Sequence, residues 1–173
     1  VEVVVSDGHL RAFDHLVQRH TGKIFSLIRG LDGSTDTEDL VQDTFVKAYR
    51  NLAKFKNRSK FSTWLYRIAV NTVRDHQRRG ARNPVVDVAP PSQHPGASHE
   101  RPDKHYVHQE LDAAIRNAID SLSPKLRTAI VCHAVEGMSV AEIANIERCA
   151  QATIHWRLHS ARKQLKKRLD AIT

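Results

Sequence analysis

The chain has 173 residues, with 27 Lys and Arg against 19 Asp and Glu, so its formal net charge is +8 at pH 7. Hydrophobic residues make up 40% of it, too many for a disordered polycation, and 2 Cys, 7 Gly and short apolar runs exclude disulfide-stapled, collagen-like and membrane-spanning proteins. These values predict a globular, cytoplasmic protein that binds a polyanion.

Prolines divide the chain into two lobes. Five of the 6 prolines lie between residues 80 and 109, in a polar stretch with few large apolar side chains. Such a stretch cannot bury enough surface to offset the entropy of ordering it, so it is predicted to be a flexible linker. We expect lobe one at residues 1–80, the linker at 81–108 and lobe two at 109–173.

Lobe one is predicted to be helical, because its apolar residues recur at spacings of three and four. Thr35 and Glu38 have the spacing of a capping box and open one helix. The apolar side of this helix consists of Leu40, Val41, Thr44, Phe45, Ala48 and Leu52. A further helix is expected from about Ser62 to Arg79, with an inward side of Leu65, Ile68, Ala69, Thr72 and Val73. The histidines expected on a helix surface are His9, His15 and His20.

Lobe two is also predicted to be helical. Its first apolar stripe is Leu111, Ala114, Ile115, Ala118, Ile119 and Leu122. Ser123 is the expected N-cap of the next helix, with Pro124 at the first helical position, and this helix stops at Gly137. Its inward residues are expected to be Leu126, Ala129, Ile130 and Ala134.

A capping box of Ser139 and Glu142 opens a short helix, which a turn at residues 148–150 joins to a last, longer one. The last helix has an apolar stripe of Ile154, Leu158, Ala161, Leu165 and Leu169. The sequence has no alternating strand pattern, solenoid repeat or heptad array. The predicted fold is therefore all-α, with two small helical domains joined by the linker.

Charge is concentrated in three stretches. Residues 32–43 hold five acids and no Lys or Arg, residues 44–79 hold ten basic residues and one acid, and residues 148–169 hold seven basic residues and no acid. Each lobe therefore carries one basic surface, and two such surfaces on a linked chain suit two contacts along a single polyanion. The alternative is that these runs are ordinary solvated helix faces.

The basic surface of lobe one has the residue types that bind nucleic acid. Five of its side chains share one helix face at spacings of three and four, namely Trp64, Arg67, Asn71, Arg74 and Arg78. Arginine suits phosphates, asparagine a base edge and an aromatic ring an unpaired base. The loop before this helix, residues 55–61, adds further basic and aromatic groups. In the alternative interpretation Trp64 belongs to the core and the arginines are a solvated stripe.

The basic surface of lobe two has the pattern of a helix-turn-helix, whose second helix enters a major groove. The side chains available for bases or phosphates are Gln151, Thr153, His155, Trp156, Arg157, His159 and Ser160. The alternative is a plain helical hairpin.

The sequence predicts neither catalysis nor a cofactor. It has no glycine-rich phosphate loop or nucleophile elbow, and neither Cys132 nor Cys149 has neighbours that indicate an activated thiol. Four linker histidines have a spacing too loose to predict a metal site, namely His94, His99, His105 and His108. We therefore expect no enzyme activity, metal or small-molecule substrate.

Two sets of segments resemble one family. Residues 63–72, Thr-Trp-Leu-Tyr-Arg-Ile-Ala-Val-Asn-Thr, together with the acidic helix at residues 37–45, closely resemble region 2 of bacterial sigma factors of the extracytoplasmic-function (ECF) type. Residues 121–124, 137–139 and 142–144 resemble region 4 of the same family. The resemblance covers both lobes and leaves out the linker.

The resemblance implies that the chain directs promoter-specific initiation by RNA polymerase. In the family, region 2 binds the β′ clamp of the core enzyme and opens the −10 element, while region 4 reads the −35 element and contacts the β flap. The core-binding positions implied here are Asp39, Gln42, Asp43, Val46 and Lys47. The implied −10 contacts are Lys56, Asn57, Arg58, Ser59, Lys60, Phe61, Trp64, Arg67, Asn71, Arg74 and Arg78. The implied −35 contacts are Gln151, Thr153, His155, Trp156, Arg157, His159, Ser160 and Arg162.

Among the −10 positions, the resemblance implies that Asn71 and the loop at residues 56–61 hold a base flipped from the non-template strand, while the arginines contact the backbone. The −35 turn departs from the family, which commonly has Pro, Gly and Arg where this chain has Ala150, Ala152 and His155. A promoter sequence is therefore not transferred. The family also implies an inhibitory anti-sigma factor, often membrane-anchored, which would hold the chain at the inner membrane.

Two other functions compete with this one. A stand-alone helix-turn-helix repressor or activator accounts for lobe two, but it leaves the acidic helix and the face from Trp64 to Arg78 without a role, and it usually needs a dimer seam that the sequence lacks. An RNA-binding adaptor would need an RNA-module signature, which is also lacking.

Overall fold

The structure is a computed structural model that describes residues 7–33, 36–56, 59–82 and 112–170. The predicted linker lies outside these ranges from residue 83 onward. The described residues form helices, turns and short connections, and none of them is in a strand. The all-α prediction is confirmed.

Lobe one is built from three long helices and a short 3-10 turn. The helices are α1 (Asp7–Asp32), α2 (Thr37–Asn51) and α3 (Phe61–Arg82), and the 3-10 turn (Leu52–Lys54) follows α2. Each helix packs against the other two. Their shared core contains Ile24, Leu27, Ile28, Leu40, Ala48, Leu65, Ala69 and Val70.

Helix boundaries in lobe one differ from the prediction at two places. The N-cap of α2 is Asp36, one residue after the predicted Thr35, which lies outside the described residues. Glu38 thus lies in the first turn, where the positive end of the helix dipole stabilises its carboxylate. Helix α3 continues to Arg82, two residues into the predicted linker.

Lobe two contains the predicted series of shorter helices. The described part of α4 is residues 112–120, and α5 (Pro124–Ile130) follows with Ser123 as its N-cap and proline in its first turn, as predicted. Helices α6 (Val140–Glu147) and α7 (Gln151–Leu169) complete the lobe. In α4, the expected inward residue Ile115 is 38% exposed, while Ala118 and Leu122 are buried, so the buried stripe is narrower than predicted.

The end of α5 is the main local departure from the sequence analysis. The helix continues as a π-helix (Val131–Val135), a wider turn that rotates the following side chains away from a 3.6-residue period. As a result Val131 and Cys132 are buried, whereas Ala134, predicted to face inward, is exposed. The chain then turns at Gly137, whose φ of 65° lies in the left-handed region that glycine adopts without strain.

The two lobes pack directly on each other. Helix α1 contacts the π-helix and α3 contacts α6, so the buried apolar side chains of both lobes form one continuous cluster. This packing places α6, the first helix of the lobe-two helix-turn-helix, against the basic helix α3 of lobe one. Within the described ranges, the chain has no helix that is both long and apolar enough to cross a bilayer.

Candidate nucleic-acid interface

Helix α3 has an apolar side and a polar side. Leu65, Ala69 and Val73 are buried against α1 and α2, and Thr72 is buried with them. On the opposite side Asn71 is exposed, with Arg67 four residues before it and Arg74 three residues after it. The helical period therefore places an exposed amide between two guanidinium groups, as predicted.

Arg78 extends this face by one more turn. Its side chain is exposed and forms an ion pair with Asp75, a solvent-exposed contact within the same helix. Surface pairs of this kind contribute little to stability, and salt screens them further. The guanidinium of Arg78 is therefore available to a phosphate.

Aromatic rings at the start of α3 contact one another at tilted angles. The ring centroids of Phe55 and Trp64 are 5.1 Å apart, those of Phe61 and Trp64 are 5.5 Å apart, and His20 of α1 lies 5.6 Å from Phe61. Burial, together with the nearby charges of Arg19 and Lys23, lowers the pKa of His20.

Trp64 is half-buried, so it is neither a fully enclosed core residue nor a free stacking platform. It forms the wall of the loop that leads into α3. In this loop Lys56 and Lys60 are exposed and Ser59 is half-buried, while the predicted contacts Asn57 and Arg58 lie outside the described residues.

Three cations of this surface contact α6 of lobe two. The Arg67 Nη2 donates to the Asn145 backbone oxygen at 2.6 Å, and the Arg74 Nη2 lies 2.5 Å from the Glu147 Oε1. At the edge of the same contact, the Lys60 Nζ lies 3.6 Å from a Glu142 oxygen.

Burial and the charge of Arg148 lower the pKa of Arg67, as expected for a guanidinium partly withdrawn from water. The sequence prediction had all of these cations facing solvent or DNA. The structure instead places Arg67 and Arg74 between the lobes.

Helix α2 presents an exposed surface on the side that is turned away from the core of lobe one. Asp39, Gln42 and Asp43 are exposed there, and Val46 is 46% exposed beside them. Val46 lies one turn after Gln42 and Asp43 and one turn before the exposed Arg50, so it adds an apolar group to an otherwise polar and charged surface. Lys47 does not belong to it, because the side chain is half-buried and its Nζ donates to the Thr72 Oγ1 at 3.1 Å.

The helix-turn-helix in lobe two has the predicted local geometry. Ser139 and Glu142 form a reciprocal capping box, in which the Ser139 N donates to the Glu142 Oε2 at 3.0 Å and the Glu142 N donates to the Ser139 Oγ at 3.3 Å. The Ser139 N and the Ser139 Oγ both donate to the Glu142 Oε2, and these two hydrogen bonds, followed by the charge of Lys60, lower the pKa of Glu142. Helix α6 ends at Glu147, and the next residue, Arg148, has a φ of 52° that turns the chain towards α7.

Helix α7 exposes most of the predicted base-reading side chains. The exposed ones are Gln151, His155, Trp156, His159 and Arg162, and the half-buried ones are Thr153, Arg157 and Ser160. Trp156 is 65% exposed, an unusually open position for an indole ring. Arg157 departs from the prediction, because its Nη1 pairs with the Glu147 Oε2 at 2.8 Å and its side chain is only 11% exposed.

Sequence reasoning missed Glu147 altogether. Its side chain is 3% exposed and accepts from Arg74 of one lobe and Arg157 of the other. The only signal in the sequence was an acid at the end of a predicted helix, where a carboxylate is disfavoured unless cations surround it. Within the described residues, no cluster of three or more His, Cys, Asp or Glu side chains is placed to hold a metal ion.

The chain matches two family models and is similar to proteins of the same family along most of its length. The model described as Sigma-70 region 2 matches residues 16–83, and the model described as Sigma-70, region 4 matches residues 112–165. The RNA polymerase sigma-H factor of Pseudomonas aeruginosa is 36% identical over 97% of this chain and 91% of that protein. The ECF RNA polymerase sigma-E factor of Escherichia coli K12 is 37% identical over 97% of this chain and 92% of that protein.

Two solved structures share the arrangement of helices. One is the sigma factor RpoE in complex with the anti-sigma factor NepR from Bartonella quintana, with a TM-score of 0.73, 27% identity, and coverage of 92% of this chain and 98% of that one. The other is CnrH in complex with the cytosolic domain of CnrY, with a TM-score of 0.72, 30% identity, and coverage of 96% of this chain and 92% of that one.

Proposed function

Because the chain belongs to the ECF sigma factors of the sigma-70 family, a group of non-enzymatic initiation factors for bacterial RNA polymerase, we propose a division of labour between its lobes. Lobe one, residues 1–80, binds core polymerase and the −10 element. Lobe two, residues 109–173, reads the −35 element. The linker at residues 81–108 spans the distance between them.

The core-binding surface is the exposed side of α2. Asp39, Gln42 and Asp43 provide charge and hydrogen-bonding groups, and Val46 provides an apolar contact one turn further along the helix. Interfaces commonly combine apolar contacts with polar ones. We assign Lys47 to the contact between α2 and α3, where its hydrogen bond with Thr72 orients the two helices.

The −10 surface is the polar side of α3 with the loop before it. Asn71 contacts an extruded base, since its exposed amide has both a donor and an acceptor for a base edge. The guanidiniums of Arg67, Arg74 and Arg78 contact the phosphates on either side. The rings of Phe61 and Trp64 form the pocket wall beside the loop and limit the space that the base enters.

The −35 surface is the exposed side of α7. Gln151, His155, Trp156 and His159 lie within the first three turns of this helix, the part that reaches base edges in a helix-turn-helix. Arg162 and the exposed lysines that follow it contact phosphates. The open indole of Trp156 is suited to apolar contact with a thymine methyl group.

The observation that supports this function most directly is the presence of two basic, DNA-compatible helix faces in one chain whose two lobes match the two sigma regions. A repressor would need only the second face. The chain therefore acts in the bacterial cytoplasm, where the polymerase and the promoter are.

By analogy with the complexes of the two structural neighbours, we propose that an anti-sigma factor inhibits it and, when membrane-anchored, holds it at the inner membrane.

The test is run-off transcription from a library of genomic fragments, using sigma-free core polymerase with and without the chain. We expect initiation from a small set of start sites only when both proteins are present. Alignment of those sites then gives the −10 and −35 sequences. If no fragment responds while the chain alone shifts specific duplexes at moderate salt, the repressor hypothesis replaces this one.

A further inference from the structure

Two histidines share one exposed face of α7. His155 and His159 are four residues apart in a continuous α-helix. At this spacing side chains lie one above the other, with their Cβ atoms about 6 Å apart. Each histidine follows a buried residue, Ile154 or Leu158, and is itself exposed. The two imidazoles are therefore neighbours on the solvent side of the helix.

Neither imidazole is engaged elsewhere. Among the described contacts, neither ring has a hydrogen-bond or ion-pair partner. Half-buried histidines of the described ranges differ in this respect, since the His133 Nδ1 lies 2.9 Å from the Met138 backbone oxygen and the His76 Nε2 lies 3.6 Å from an Asp36 oxygen. A neutral imidazole without a partner presents a nitrogen lone pair to any ligand that accepts one.

Two imidazoles four residues apart on a helix form a chelating pair for a transition metal, the spacing by which two histidines of one helix bind zinc in metalloproteases. Imidazole nitrogen suits Cu(II), Ni(II) and Zn(II), whereas Mg²⁺ and Ca²⁺ require oxygen ligands. Residues 148–169 hold no Asp or Glu, so this helix offers no carboxylate for the oxygen-seeking ions. Cys149 packs against the hydrophobic core, so the ligands from this chain are the two imidazoles, and water completes the coordination.

The histidine pair lies within the proposed −35 surface. Gln151 is one turn before His155 and Arg162 is about one turn after His159, and all four side chains are exposed. This stripe is the side of α7 that enters the major groove in the proposed function. A metal ion held by the pair, with its bound waters, fills the space in which the imidazoles contact bases. Metal and base edges therefore compete for the same two side chains.

We propose that His155 and His159 bind a divalent transition-metal ion, most tightly Cu(II), and that the bound ion prevents α7 from reading the −35 element. The second half of this inference rests on the function proposed above, whereas metal binding is a property of the free chain. Cu(II) binds most tightly because the affinity of nitrogen sites rises along the first-row series to this ion. The expectation that the chain binds no metal was drawn from the loosely spaced linker histidines, which this pair does not involve.

The neighbouring charges limit the affinity of the pair. Arg162 and Lys163 are exposed within about one turn of His159, and their positive charges oppose a divalent cation. With two protein ligands and this repulsion, the pair responds to an excess of metal and does not retain an ion permanently. It thus acts as a reversible inhibitory site and not as a structural one.

The first test measures metal binding by the free chain. Isothermal titration with Cu(II) is carried out without thiols at mildly alkaline pH, where imidazole is in its neutral, ligating form. Electron paramagnetic resonance with less than one equivalent of Cu(II) counts the imidazole nitrogens bound to the metal. The variants are His155→Ala, His159→Ala and the double substitution, and His15→Ala is the matched control because it removes an exposed imidazole from α1. Alanine favours a helix, so all of these variants should fold.

We expect two bound imidazoles in the wild type and in His15→Ala. Each single substitution in the pair should lower the affinity for Cu(II) about a hundredfold, the gain that linking two binding groups gives. The double substitution should lower it little further, because a chelate is already lost with its first ligand. If His155→Ala or His159→Ala binds Cu(II) as tightly as His15→Ala does, the site does not exist. Additive losses would show two separate one-histidine sites and would also reject the chelate.

The second test asks whether the metal blocks −35 reading. Wild-type holoenzyme initiates on a duplex promoter found by the run-off experiment and, as a control for damage to core polymerase, core enzyme initiates on a template with a pre-opened bubble. We expect a saturating amount of Cu(II) to lower initiation on the duplex promoter at least about tenfold and to leave the pre-opened template unaffected. Equal effects on the two templates, or none on the duplex, would reject competition between metal and DNA.

The two proposals fail in different ways. If the wild type initiates from specific promoters without metal but the free chain shows no two-imidazole Cu(II) centre, only the metal site is rejected. If the wild type supports no initiation in the absence of metal, the sigma function is rejected, and the titration of the free chain still decides whether the histidine pair binds metal.

Discussion

Asn71→Ala tests the assignment of the −10 pocket most directly. The side chain is exposed on α3 and lies outside the apolar core, so its removal opens no cavity. Alanine is the better helix former, and we expect the free energy of unfolding to stay the same or rise by about 0.5 kcal/mol. A fall in promoter melting would therefore come from a lost contact with DNA and not from a damaged fold.

The magnitude follows from the contact that Asn71 is proposed to make. A bidentate amide contact with a base contributes about 1–3 kcal/mol, which corresponds to about a 5- to 150-fold decrease in open complexes. The arginines on either side remain, so binding of the holoenzyme to duplex promoter should change far less than melting. Affinity for core polymerase should not change, because α2 lies on another side of the lobe.

The assay is permanganate footprinting of unpaired thymines on a promoter found by the run-off experiment, with reconstituted holoenzyme. Asn117→Ala is the matched control, since it makes the same substitution at an exposed position of α4 in the other lobe. Thymine reactivity equal to that of the control would refute the role of Asn71. Loss of core binding in Asn71→Ala would refute the separation of the two surfaces.

Three further predictions follow from the structure. Val46→Ala should lower affinity for core polymerase about tenfold, since it removes two methyl-sized groups of about 0.8 kcal/mol each from the exposed surface of α2. A binding titration with labelled core checks this, and unchanged affinity excludes Val46 from the interface. Ser139→Ala should lower the free energy of unfolding by about 1 kcal/mol at neutral pH, measured by urea denaturation. The pKa of Glu142 is lowered in the folded state, so its ionised carboxylate stabilises the fold above the pKa that Glu142 has in the unfolded chain, and this stabilisation is lost as the pH falls through the folded pKa. The difference in unfolding free energy between Ser139→Ala and the wild type should therefore shrink in acid. A difference that stays constant with pH would contradict the capping box. Burial raises the pKa of the Cys132 thiol to about 12, so alkylation at mildly alkaline pH should modify half-buried Cys149 first and Cys132 only after unfolding. Mass spectrometry measures the two modification rates. Equal rates of alkylation at the two thiols would refute this prediction.

The local structure of both lobes could be predicted because short-range interactions determine it. The spacing of the apolar residues in α7 defines its buried side, whichever helix packs against it. Ser139 and Glu142 satisfy one another's hydrogen bonds across only three residues. The π-helix was missed because nothing in residues 131–135 marks the widened turn. The exposed position of Asn71 followed from helical periodicity, and that of the α2 acids followed from the family resemblance.

The availability of the arginines could not be predicted in this way. Periodicity placed Arg67, Asn71 and Arg74 on one side of α3, but whether that side is open depends on what packs against it. The partners are 78 residues away in sequence for Arg67 and 73 for Arg74, a separation at which no local pattern in the chain constrains the contact. The same holds for Gly30, whose closeness to Val131 exists only once the lobes meet.

The amino-acid sequence by itself determined the all-α class, the two lobes, the caps and turn of the helix-turn-helix, and the placement of the basic faces, because these depend on residues within a few turns of one another. Only the tertiary structure decided which cations are exposed and which are neutralised. That outcome depends on the packing of lobe two against lobe one and on the burial of Glu147 between Arg74 and Arg157. The energy of such a contact arises from desolvation and charge pairing between distant segments, which helical periodicity does not encode.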